Sequence, residues 1–159
     1  MADTKSSEEP RSEWGAQQDL NLKIIVADDD PKDLNLKILV VDDDPNIVDV
    51  LQSFLESEGY EVVTADSGIS AINALKEPYP QIILLDIRMA DMDGIQCLRL
   101  IKDRAPEIQV IMISGFASVK MARKSLDIGA FDYISKPLSF SHLKEVIQQL
   151  KISKFLEYM

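Results

Sequence analysis

Three short runs with almost no polar interruption, ILVV (38–41), IILL (82–85) and VIMI (110–113), constrain what this chain can fold into more than any other feature. Each is strand-length and lacks the alternation of a strand that shows one face to water. Strands of this kind are covered on both faces, as in a parallel sheet between two layers of helices. The intervening stretches carry helical spacing instead: Ile47, Val50, Leu51, Phe54 and Leu55 fall at i, i+3, i+4, i+7 and i+8, with Gly59 as a C-terminal stop. Two more strands are predicted over 60–65 and 131–134. Helices are predicted near 69–76, from Ile95 to about Pro106, over 119–126, and after Ser139 or Ser141, the last with Leu143, Val146, Ile147 and Leu150 on its apolar face. Five strands alternating with five helices predict a three-layer α/β/α domain.

With 159 residues and 46% hydrophobic content, the chain has material for one domain with a real core and a modest appendage. A formal charge of −10 argues against direct nucleic-acid binding, which needs clustered Lys and Arg to displace counterions. The single cysteine, Cys97, excludes an intramolecular disulfide and any Cys-x-x-Cys pair, and a reduced, cytoplasmic setting fits best. No apolar run approaches the roughly 20 residues needed to span a bilayer, so no membrane role is expected.

Residues 1–21 are polar and acidic, with little to bury, and are expected to be a disordered tail. The next segment, LKIIVADDDPKDLN (22–35), is nearly repeated by LKILVVDDDPNIVD (36–49). Only the second copy runs into the amphipathic helix, so it is assigned to the sheet. The first copy has Ala27 where the second has Val41, a handicap of about 1 to 2 kcal/mol if fully buried. It is read either as a minor competitor for the same slot, with Asp28 and Asp29 replacing Asp42 and Asp43, or as a duplication that pairs weakly at a sheet edge. The domain is expected to occupy 36–152, with 153–159 extending the last helix.

Four apolar runs end in polar residues: Asp42-Asp43, Asp86, Ser114 and Lys136. In open α/β sheets, ligands bind beyond the carboxyl ends of the strands, and all four positions fall there. Three carboxylates brought together repel unless a cation compensates, and an all-carboxylate set without His or Cys favours Mg²⁺ over zinc. A carboxylate such as Asp86 can attack phosphorus to form an aspartyl phosphate. Lys136 adds a positive charge, Ser114 a hydroxyl donor, and Gly115 leaves space beside it. Taken singly, Asp-Asp is an ordinary turn, Lys-Pro an exposed loop and Tyr133 core packing; the joint order is what carries the signal. His142, the only histidine, reads as a solvent-facing residue at a helix start.

Residues 36 to about 152 resemble the receiver domain of bacterial two-component response regulators. That resemblance implies a flavodoxin-like, doubly wound parallel sheet of strand order 2-1-3-4-5. It also implies that Asp86 is the phosphoacceptor, Asp43 a direct Mg²⁺ ligand, Asp42 an outer one, and the backbone carbonyl of Arg88 a further ligand. Ser114 matches the switch hydroxyl, Tyr133 the aromatic that changes rotamer, and Lys136 the lysine before Pro137, whose peptide bond is usually cis in the family. Arg88 and Phe116 match positions that tune phosphoryl lifetime. Ala90 stands where many receivers have proline, and Gly115 where many have alanine. ISGF (113–116) and GAFDYISKP (129–137) are closest to NtrC-like receivers, here expected without an output domain.

The implied partners are a sensor histidine kinase or histidine phosphotransfer protein, and a downstream effector of unknown identity. A homodimer through the face of the fourth helix, fifth strand and fifth helix is a further implied option. The expected function is a phosphorylation switch that assists its own phosphotransfer without being a metabolic enzyme. Two alternatives stand beside it: a degenerate receiver acting only as an interaction or dimerisation module, and a haloacid-dehalogenase-like phosphatase. The latter class needs a second Asp two residues after the nucleophile, where this chain has Arg88.

Overall fold

The computed structural model describes residues 36–115 and 118–157. The expected tail (1–21), the first copy of the duplicated segment (22–35) and Phe116 lie outside the described residues. In chain order the elements are β1 (Lys37–Val41), α1 (Pro45–Ser57), β2 (Glu61–Ala65), α2 (Gly68–Asn73), β3 (Ile82–Asp86), α3 (Gly94–Arg104), β4 (Gln109–Ser114), α4 (Val119–Ile128), β5 (Asp132–Ser135) and α5 (Phe140–Glu157). All strand pairs are parallel and the order across the sheet is β2-β1-β3-β4-β5, as the resemblance implied.

The uninterrupted apolar runs are explained by the two layers. Leu39, Val41, Ile83, Leu85, Val110 and Met112 pack with Ala71 of α2, Ile95, Leu98 and Ile101 of α3, and Met121 and Ile128 of α4. Their chain neighbours Ile38, Val40, Ile82, Leu84, Ile111 and Ile113 point the other way, onto Leu51 and Leu55 of α1 and Leu143, Val146, Ile147 and Leu150 of α5. Each such side chain contributes on the order of 2 kcal/mol when withdrawn fully from water. The core therefore fixes where each strand ends, and with it where each loop at the carboxyl edge begins.

Local signals set the element ends. Asp44 caps α1 by accepting from the Asn46 amide at 2.9 Å, and Pro45 occupies the first turn, where its missing N–H costs nothing. Gly59 and Gly129 follow α1 and α4 with φ of 95° and 126°, a region that penalises any Cβ. Ser139 Oγ accepts from the His142 amide at 3.2 Å, which selects Ser139 over Ser141 as the cap of α5.

Several boundaries differ from the sequence expectation. The ladder continues one residue beyond the apolar run at Asp86 and at Ser114, because backbone pairing does not depend on side-chain polarity. β5 is displaced by one residue toward Ser135, Tyr60 precedes β2, and α2 stops at Asn73. Val50, expected on the buried stripe of α1, is 52% exposed. α5 continues without a break to Glu157. No described helix is long and apolar enough to cross a membrane.

Candidate functional site

β1 and β3 are neighbours at the centre of the sheet, but the chain leaves them in opposite directions, β1 toward β2 and β3 toward β4. That divergence opens a crevice at their carboxyl ends. Asp42 and Asp43 follow β1, and Asp86 is the last residue of β3. One carboxylate oxygen from each of the three lies within 4.8 Å of the others. Asp42 and Asp86 are buried, whereas Asp43 is exposed at the mouth.

Lys136, just past β5, reaches across two strands to this cluster. Its Nζ lies 2.9 Å from Asp42 Oδ2 and 3.6 Å from Asp86 Oδ1. The Lys136 amide donates to the Ser114 carbonyl at 2.8 Å, so the end of β4 sets where the lysine begins. The Lys136–Pro137 bond is cis. The other oxygen of Asp42 accepts from the Asp44 amide at 2.9 Å, locking that carboxylate from both sides.

Electrostatics separate the groups. Burial, followed by the charge of Asp42, pushes Asp86 up from 3.8 to about 6, although Lys136 and the Arg88 amide favour its ionised form. Burial works against the Lys136 charge too, yet the Asp42 hydrogen bond and the charges of Asp42 and Asp86 outweigh it and hold the ammonium above its ordinary value. The pocket thus carries more negative charge than one lysine neutralises. Its donors are all oxygen, one of them open to solvent, which is a set suited to a hard divalent cation such as Mg²⁺.

The structure brings together Asp42, Asp43, Asp86 and Lys136, with the Arg88 backbone amide bonded to Asp86. Ser114 is buried at the end of β4. Gly115 is exposed, and a Cβ there would meet nothing closer than 4.0 Å. Tyr133 is half-buried and packs against the layer containing α3 and α4. His142 is exposed and Cys97 buried, away from the pocket chemistry.

One participant escaped the sequence reading. Asp91, in the loop after Asp86, accepts from the Gly68 amide at 3.1 Å and the Ile69 amide at 2.9 Å, tying that loop to the start of α2. In the string DMDG (91–94), Asp93 reads as a helix cap and does accept from Gln96 at 2.8 Å. No local signal distinguishes Asp91 from an ordinary loop acid.

A family model for the response regulator receiver domain matches residues 38–148. The chain belongs to the response regulator receiver family. It is 41% identical over 129 residues to the transcriptional regulatory protein ZraR of Escherichia coli, a match covering 81% of this chain and 26% of that relative. The chain thus spans about a quarter of the length of that curated relative. A CheY-like receiver domain protein of Methanospirillum hungatei superposes with a TM-score of 0.74 at 34% identity, covering 77% of this chain and 98% of the other. A CheX-CheY-BeF3-Mg²⁺ complex of Borrelia burgdorferi matches with a TM-score of 0.70 at 33% identity, covering 72% and 88%.

As a receiver, the chain is a regulatory domain of two-component signalling rather than a metabolic enzyme. Receivers generally bind Mg²⁺ at their acidic site and interact with histidine kinases or phosphotransfer proteins. The pocket of Asp42, Asp43 and Asp86 is consistent with a receiver phosphorylation site.

Proposed function

We propose that Asp86 accepts a phosphoryl group from a phosphohistidine partner and that the resulting aspartyl phosphate switches the domain. The observation that carries this reading is the meeting of Asp86 with two further carboxylates and one lysine at the mouth of the β1/β3 crevice. In the transfer, a carboxylate oxygen of Asp86 forms a P–O bond while the P–N bond to the donor imidazole breaks, and the imidazole leaves with its electron pair. Asp42, Asp43, Asp86 and the Arg88 carbonyl would hold Mg²⁺, which when bound supplies positive charge to the transferring phosphoryl oxygens.

The chain's own groups do the rest. Burial and the neighbouring acids keep Asp86 poorly stabilised as an isolated anion, so a group that neutralises the pocket favours its reactive form. Lys136, already charged and anchored by Asp42, is placed to bind a phosphoryl oxygen once Asp86 is modified. The Ser114 hydroxyl is assigned the second phosphoryl contact, and Tyr133 the accompanying rearrangement that alters the face of α4, β5 and α5. Phe116 and Arg88 tune phosphoryl lifetime, and Gly115 and Pro137 shape the adjoining loops. That face is the proposed surface for a downstream effector or homodimer. The domain spans 36–152, works in the cytoplasm, and assists its own phosphorylation.

Intact mass after incubation with acetyl phosphate and Mg²⁺ tests the reading. One phosphoryl group is expected, absent when Mg²⁺ is chelated and absent in Asp86→Ala. Equal modification of Asp86→Ala would refute it.

A further inference from the structure

Residues 87–93 form the loop that presents the Arg88 amide to Asp86, and it is held at two separated points. At its base, the Gly94 amide donates to the Ile87 carbonyl at 2.6 Å, and a Cβ on Gly94 would lie 2.4 Å from the Asp86 carbonyl oxygen. The base is therefore pinched shut, and because the Ile87 carbonyl and the Arg88 amide share one planar peptide it sets that amide as well; the next peptide, Arg88–Met89, lies beyond the pinch. Ala90, also beyond it, leaves the backbone more freedom than a proline would.

The second point is Asp91. Its two carboxylate oxygens each take one amide of α2, Gly68 at 3.1 Å and Ile69 at 2.9 Å. Met92 lies so close over Gly68 that a Cβ there would come within 3.0 Å of its side chain. Ser67 caps α2 at the Ser70 amide, its hydroxyl accepting at 3.0 Å and the Ser70 hydroxyl accepting in return from the Ser67 amide, while Asp91 takes the two first-turn amides that Ser67 leaves over. The start of α2 keeps the Ser67–Ser70 box as an anchor of its own, against which the two Asp91 bonds hold the loop.

We propose that Asp91 is a positioning residue for phosphoryl transfer, clamping the loop after β3 to the start of α2 and so fixing the Arg88–Met89 peptide beside the phosphoacceptor. The inference rests on Asp86 being the phosphoacceptor. The two Asp91 amide bonds also hold its carboxyl below the usual range, so the clamp stays charged through neutral pH.

The test is the rate of phosphorylation by acetyl phosphate at saturating Mg²⁺, measured beside the unfolding midpoint. Asp91→Ala is expected to slow the saturated rate roughly five- to tenfold by loosening the reacting geometry, with the midpoint little changed. Asp91→Asn retains one acceptor oxygen and should fall between the two. Ile69→Pro removes the donor from the opposite side, at a first-turn position that tolerates proline, and should slow the reaction without adding to Asp91→Ala in the double variant. A wild-type saturated rate in Asp91→Ala, with or without a lowered midpoint, would overturn the clamp, as would multiplicative effects in the double variant. A wild-type protein that takes no phosphoryl group at Asp86 would instead overturn the parent reading and the clamp with it.

Discussion

The loop after β1 is shaped mainly by bonds inside five residues, with Lys136 and the Ala65 carbonyl anchoring only its first residue, Asp42, whereas the loop after β3 is held mainly from outside. In the first, Asp42 accepts from Asp44, Asp44 accepts from Asn46, and Pro45 opens the helix. In the second, the fixing partners are a carbonyl seven residues back and two amides more than twenty residues away. A locally wired loop can be written in a short word, and the word DDDP does occur twice, at 28–31 and 42–45. The externally wired loop has no such word, because it exists only once α2 and β3 are in place.

The contrast has measurable consequences, the largest at the base of the β3–α3 loop. Gly94→Ala would drive a methyl into backbone atoms at 2.4 and 2.6 Å, and on the order of 3 kcal/mol of stability should be lost, read by urea denaturation. A loss below ~1 kcal/mol would show that the base yields, and the contrast between the loops would weaken. Gly115→Ala, in the next loop along the edge, should by comparison change little, since its nearest neighbour is 4.0 Å away.

Next in size is the charge at the tip of β3. Asp86 binds its proton more tightly folded than unfolded, so between pH 3.8 and about 6 the folded state holds more protons and stability falls as pH rises. In the absence of divalent ions, Asp86→Asn should therefore exceed wild type by on the order of 2 kcal/mol above pH 6, with the advantage vanishing below pH 4. A pH-independent difference would mean that Asp86 is not strained by its surroundings. A smaller loss belongs to the loop after β1: Asp44→Ala removes a helix cap and should cost about 1 kcal/mol by the same urea assay, leaving the geometry after β3 untouched.

The same division governs what could be seen in the sequence. Apolar runs and helical spacing located each strand and helix of the described residues, because burial on both faces leaves a mark on consecutive residues. The runs under-counted β3 and β4, whose ladders pass through Asp86 and Ser114, since hydrophobicity reports burial and not pairing. Val50 matched the stripe yet is 52% exposed, because a folded surface carries many single apolar residues. At the site, Asp42, Asp43, Asp86 and Lys136 were legible because each closes a strand. Asp91 was not, because its partners belong to another βα unit.

Everything functional rests on Asp86 being the covalent carrier within a pocket of shared charge. The most direct measurement is peptide mapping of protein treated with acetyl phosphate and Mg²⁺, after reduction of the acyl phosphate with borohydride to mark the modified carboxyl. The account requires the mark on Asp86 alone, and its loss in Lys136→Ala to be partial rather than complete. A mark on Asp42, Asp43 or another acid, with Asp86 clean, would contradict it.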